Sequence, residues 1–165
     1  MIKTTLCYME QDGKYLMLHR NKKEQDPNEG KWIGVGGKLE AGESTEECLV
    51  REVREETGLE LDEYSYRGEI YFSAQGWEDE IMYLYTATKF HGEMIRDCNE
   101  GELKWIPFQE IPELSLWEGD RVFLKDLLDG KMNIDLALYY EGDRLVRMER
   151  RNSKVSVDGK SPFAV

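Results

Sequence analysis

The chain has 165 residues, of which 40% are hydrophobic and 34% charged, and its formal net charge is −12. That length and apolar content suffice for one domain with a proper core and exclude a disordered chain. The acidic balance excludes nucleic-acid polymer binding through a general basic surface, and no apolar run approaches the length of a membrane span.

The segment Met1-Ile2-Lys3-Thr4 carries no signal-peptide pattern. Cys7, Cys48 and Cys98 lack any paired spacing, which points to free thiols in a reducing cytoplasm rather than to disulfides or a zinc site. The only histidines are His19 and His91, which further weakens a transition-metal reading. Residues 1–150 are expected to form the single domain, with 151–165 a polar C-terminal tail.

Residues 2–10 read as a strand that turns at Asp12-Gly13 into a partner over 15–19. Residues 21–31 are polar, contain Pro27 and Gly30, and read as a loop. The glycine-rich stretch 32–39 reads as a short strand leading into a helix over 44–57. Two β-rich runs, 64–74 and 81–90, join around Gly76. A loop over 91–102 precedes Leu103-Lys104-Trp105-Ile106. A second helix covers 120–128 and stops at Gly130. Residues 134–140 and 145–148 form a last hairpin about Gly142-Asp143. Short strands with two helices indicate an α/β or α+β fold, and there is no internal repeat.

The first helix carries the most information. Ser44 can cap its N-terminus, and Glu47, three residues on, completes a capping box. Gly58 is placed to end it in a left-handed conformation. Glu52 and Glu56 are four residues apart and Glu55 lies three after Glu52, so the three carboxylates share a flank. Ionised carboxylates that close repel one another. A hard divalent cation with oxygen-only ligation, Mg²⁺ or Mn²⁺, resolves the repulsion. Cys48, Leu49 and Val53 offer an apolar face to a core. A solvated acidic stripe is the plain alternative for such a helix.

Around these residues the chain reads Gly37, Glu43, Arg51-Glu52-Val53, Glu55-Glu56 and Gly58-Leu59 with fixed gaps. This pattern resembles the signature of the Nudix hydrolases, and the resemblance covers roughly residues 4–148. It implies an α/β/α sandwich with a mixed sheet, and an enzyme that uses Mg²⁺, with Mn²⁺ an alternative, to cut a diphosphate linkage in a nucleoside diphosphate derivative. It also implies Glu52, Glu55 and Glu56 as metal ligands, with the backbone of Gly36 and Gly37 nearby. Arg51 would orient a box glutamate, and Glu43 would support the loop or reach a metal through water. Gly36, Gly37 and Gly42 suit torsions or close approaches denied to a side chain. Many family members recruit a further glutamate from a later loop. Asp97, Glu100 and Glu102 are the candidates here, with Glu100 favoured by its position five residues before Trp105. Lys23 lies where related enzymes place a phosphate-contacting lysine, and Lys22 and Arg20 are its neighbours.

Within the family, the chain is similar to the MutT-type oxidised-purine nucleoside triphosphatases of the animal branch. The landmarks are Gly30-Lys31-Trp32 before Gly34-Val35-Gly36-Gly37-Lys38, Trp105 after the acidic loop, and Leu116-Trp117-Glu118-Gly119-Asp120 at the second helix. The resemblance implies Trp117 stacking on a base, Asp120 bonding its edge, and Lys38 among the substrate contacts. The reaction implied converts a nucleoside triphosphate, 8-oxo-dGTP among the possibilities, to monophosphate and pyrophosphate. Two departures stand out. The branch has two adjacent acids where this chain has Gly119-Asp120, and an asparagine where this chain has Ile33. Hydrolysis of ADP-ribose or a nucleotide sugar is the alternative reaction, and a nucleotide-sensing module without catalysis is the alternative of another class. A small nucleotide is the expected partner of a monomer or homodimer.

Overall fold

A computed structural model describes residues 1–21, 28–95, 97–98 and 100–151, with backbone alone for 97 and 98. Strand β1 (Ile2–Gln11) turns at Asp12-Gly13, both at positive φ, into β2 (Lys14–His19). Strand β3 (Trp32–Ile33) pairs with β2. Helix α1 (Thr45–Thr57) follows, then β4 (Leu59–Ala74), β5 (Glu80–Gly92), β6 (Asp97–Cys98) and β7 (Gly101–Pro107). A short 3₁₀ helix, Phe108–Glu113, leads to α2 (Glu118–Leu128), and β8 (Ile134–Glu141) and β9 (Arg144–Arg150) close the order.

Among the described residues the strands form one mixed sheet in the order β6-β7-β2-β1-β5-β4-β8-β9, with β3 branching from β2. β1 runs parallel to β5, and β4 parallel to β8; the remaining neighbours are antiparallel. Alternation along β1 divides the core between the two faces of the sheet. Cys7 and Met9 pack with Leu49 and Val53 of α1, whereas Leu6 and Tyr8 pack with Phe123, Leu124 and Leu127 of α2. The result is the expected α/β/α sandwich. No helix among the described residues is long and apolar enough to cross a membrane.

Three expectations change. The stretch 32–39 is not one strand: only Trp32–Ile33 joins the β2 ladder. Val35 and Lys38 then bridge singly to Cys7 and Thr4, because β2 pairs only with the far end of β1 and leaves this edge free. The stretch 91–102 is not all loop: β6 pairs with β7 through Asp97 opposite Glu102 and Cys98 opposite Gly101. The long hairpin also extends well past the apolar runs, because Leu59 pairs with Gly92 and register shifts near Leu61 and Gly68 absorb the irregular polar residues.

Candidate active site

The α1 helix is set by its ends. The Ser44 hydroxyl accepts from the Glu47 amide at 3.1 Å, and the Glu47 carboxylate accepts from the Ser44 amide at 3.0 Å. Gly58 ends the helix at φ 80, a left-handed conformation that a side chain resists. Gly42 turns the preceding loop at φ 77. Cys48, Leu49 and Val53 are fully buried, which fixes the rotation of the helix and aims Glu52 and Glu56 at the glycine-rich segment.

That segment is threaded along β1. The Thr5 amide donates to the Gly37 carbonyl at 2.9 Å, and the Cys7 amide to the Val35 carbonyl at 2.7 Å. At Gly36 a β-carbon would stand 1.9 Å from the Thr5 carbonyl oxygen, and at Gly37 it would stand 2.4 Å from the carboxyl carbon of Glu52. Absent side chains thus let the backbone approach both β1 and the carboxylates. The Gly37 carbonyl accepts from the Thr5 amide and from the Cys48 thiol at 3.5 Å, and the absence of a side chain there makes space for Glu52.

Glu56 is 7% exposed and its Oε1 accepts from the Gly36 amide at 2.9 Å. Burial, with the charges of Glu100 and Glu52, pushes its pKa up to about 8, against the pull of the Gly36 amide and Arg20. Glu52 is raised too, first by burial and then by Glu55 and Glu100, while Arg51 opposes the shift. Glu55 is the most exposed of the three. Arg51 ties the group together. Its Nε and Nη2 donate to Glu43 at 2.7 and 2.9 Å, its Nη1 donates to Glu52 at 2.7 Å and Glu55 at 3.2 Å, and Nη2 also reaches the Lys38 carbonyl at 3.1 Å. Those bonds hold the Glu43 carboxyl down to about 2. Glu43 therefore anchors Arg51, and Arg51 positions two glutamates.

Of the later acids, Glu100 belongs to this cluster, since its charge acts on both Glu52 and Glu56, and its carboxylate pairs with Arg20 at 3.0 Å. Glu102 sits in the β7 ladder opposite His19 with its side chain exposed. The Asp97 side chain and Lys22 and Lys23 lie outside the described residues.

No three acidic, imidazole or thiol side chains among the described residues already close on a cation. Arg51 holds Glu52 and Glu55, and Gly36 holds Glu56. The donor set still fits one: it is all oxygen, partly desolvated and self-repelling, which suits Mg²⁺ or Mn²⁺.

Beneath α2 lies a second polar region. Trp117 is half-buried, donates through Nε1 to the Asn28 side chain at 2.7 Å, meets Tyr140 edge-on at 5.4 Å, and has the Lys31 ammonium 5.5 Å from its ring centre. Asp120 is 8% exposed, and burial, then Glu80, lifts its pKa to about 7 against the pull of Lys31. It is not the helix cap, the plain alternative for an acid there: Trp117 occupies the cap position with no side-chain bond. The Gly119 amide donates to the Tyr140 hydroxyl at 2.8 Å, and a β-carbon there would meet Leu138 at 2.6 Å. A second acid beside Asp120 would have to displace Leu138 or Tyr140. Lys38 is exposed, and its charge acts on Glu80. Thr4, Tyr8, Asn28 and Glu80 carried no local signal; only the sheet register could have exposed them.

A family model for the NUDIX domain matches residues 3–127, most of the chain, and the chain belongs to this family of hydrolases. It is 29% identical over 133 residues to an uncharacterized Nudix hydrolase, YvcI, of Bacillus subtilis, covering 78% of this chain and 80% of that one. It is 32% identical over 129 residues to the oxidized purine nucleoside triphosphate hydrolase of Danio rerio, covering 77% and 80%. Among solved structures, a MutT protein from Bacillus halodurans matches with a TM-score of 0.81 at 27% identity, over 90% of this chain and 97% of that one.

Proposed function

We propose that this chain is a Mg²⁺-dependent pyrophosphohydrolase that converts a nucleoside triphosphate to the monophosphate and pyrophosphate, with oxidised purine nucleotides such as 8-oxo-dGTP among its substrates. The observation that carries this reading is the cluster of Glu52 and Glu56 against Gly36 and Gly37, partly desolvated and within the field of Glu100. The ligands would be Glu52, Glu55 and Glu56, with Glu100 from the β6–β7 turn. Bound there, a divalent ion neutralises phosphate charge and acidifies water. The protein's own groups do the rest. Arg51, anchored by Glu43, keeps Glu52 and Glu55 in place, and the Gly36 amide keeps Glu56. A carboxylate of the cluster takes the proton of the attacking water. Arg20, beside Glu100, is a cation at hand for the phosphate chain, and the family resemblance assigns Lys23 to the same task. Trp117 stacks on the base and Asp120 bonds its edge. The free thiols of Cys7 and Cys48 suit a cytoplasmic setting.

The test is product analysis with canonical and oxidised dNTPs, ADP-ribose and nucleotide sugars, each with Mg²⁺ and with chelator. Metal-dependent pyrophosphate from triphosphates supports the reading. Orthophosphate with a nucleoside diphosphate, or turnover confined to ADP-ribose or sugars, overturns it. Binding without cleavage would mark a sensing module instead.

A further inference from the structure

The sheet face beneath α2 carries polar groups that neither the core nor the α1 cluster uses. The parallel register of β1 and β5 sets Thr4 beside Met82 and Leu6 beside Leu84, so Thr4 and Glu80 emerge on the same face as Leu6, Tyr8 and Leu84. The Thr4 hydroxyl donates to Glu80 Oε2 at 2.7 Å and fixes that carboxyl. From the opposite side comes Asp120, on the first turn of α2, buried and with no side-chain hydrogen bond among the described residues. The Tyr8 hydroxyl, whose ionisation Asp120 also opposes, is the one buried side-chain polar atom without a hydrogen-bond partner among the described residues. The Gly34 amide leans toward it without reaching bonding geometry. Trp117 and Lys31 stand at the same end of α2.

Buried polar groups are normally hydrogen-bonded, and leaving one unmet is costly. A buried phenol without a partner, a carboxyl left 8% exposed on α2 and a second carboxyl pinned by Thr4 describe a place whose missing partner is a ligand rich in N–H and C=O groups. The charge of Glu80 hinders ionisation of Asp120, and both carboxyls face the same side of the sheet as Tyr8. Lys38 favours the ionised form of Glu80, and Lys31 that of Asp120. Two such acids favour sharing a single charge, so that one accepts and the other donates. An edge with N–H beside C=O or ring N matches that pair. A second acid on α2 at position 119 would have to displace Leu138 or Tyr140, whereas the strand already carries one in Glu80.

We propose that Glu80, positioned by Thr4, reads the base together with Asp120, so that the pocket selects purines by the hydrogen-bonding edge they present while stacked on Trp117. This deepens the nucleoside triphosphatase reading and rests on it.

The experiment compares kcat/KM for dGTP, dITP, dATP, dCTP and 8-oxo-dGTP in wild type, Glu80→Gln, Thr4→Val and Thr4→Ser, with circular dichroism and Tm for each. Glu80→Gln keeps the size and can still accept from Thr4. It is expected to change the ratios among the purine nucleotides by about tenfold, the scale of one well-placed polar contact. Thr4→Val moves the ratios in the same direction by a smaller factor, and Thr4→Ser restores them. An unchanged ranking in folded Glu80→Gln, or an equal fall for every nucleotide, overturns the inference while leaving the hydrolase reading intact. Failure of the wild type to cut any triphosphate overturns both.

Discussion

Replacing Gly37 by alanine separates catalysis from folding. The added β-carbon would lie 2.4 Å from the Glu52 carboxyl carbon and 2.6 Å from each carboxylate oxygen, where ordinary contact begins at 3.4 Å. The obstacle is the end of a flexible side chain, so the chain still folds and the carboxylate withdraws by about 1 Å, a misplacement that can cost about 10²-fold in rate. Withdrawal also strains the 2.7 Å bond from Arg51 to Glu52. Gly36→Ala is the contrast. Its β-carbon meets the Thr5 carbonyl oxygen at 1.9 Å, a strand backbone that cannot swing aside. Overpacking of this kind costs about 1–3 kcal/mol, which is several degrees in Tm for a chain of this size. Initial rates with a triphosphate at saturating Mg²⁺, beside thermal melts of both variants, measure the two effects. Gly37→Ala with near-wild-type kcat would refute the placement of Glu52 against this loop. So would a Gly37→Ala melt depressed as far as that of Gly36→Ala.

Trp117→Ala should raise KM for every nucleotide with little change in ranking, since stacking on a base is worth about 1–3 kcal/mol whatever the base; an unaltered KM moves the base elsewhere. In metal-free protein, Asp120 contributes a pH trend of known sign. Its folded pKa of about 7 lies above the ordinary aspartate value of 3.8, so the unfolded chain releases this proton first as pH rises. Its contribution therefore favours the fold below about pH 4, falls between pH 4 and 7, and is lost above that. Glu56 acts in the same sense, so the readout is the difference between wild type and Asp120→Asn: the variant's Tm should fall less between pH 5 and 8, and parallel curves would contradict the buried placement.

The acidic cluster on α1 was legible because its determinants are local. Ser44 and Glu47 cap one end of α1, Gly58 the other, and the spacing of Glu52, Glu55 and Glu56 follows from helical geometry. Turns at Asp12-Gly13 and before Arg144 were legible for the same reason. The polar contacts beneath α2 were not. Thr4 and Glu80 are 76 residues apart and meet only through the parallel pairing of β1 with β5, and Asn28 reaches Trp117 across 89 residues. Burial of Asp120 depends on α2 packing over that face, and the crowding at Gly119 comes from Leu138 and Tyr140 of β8. The first five residues of β4 were missed because they pair with the end of β5 only across register shifts between Leu61 and Tyr64.

The most direct measurement is pyrophosphate release from a nucleoside triphosphate, with Mg²⁺ and with chelator, by the wild type and by Glu56→Gln shown to be folded. The account predicts metal-dependent release of pyrophosphate with the monophosphate, and a rate at least about 10²-fold lower in the variant, the scale of losing charge stabilisation at the reacting phosphate. Release unaffected by chelator, or near-wild-type turnover by folded Glu56→Gln, would contradict it.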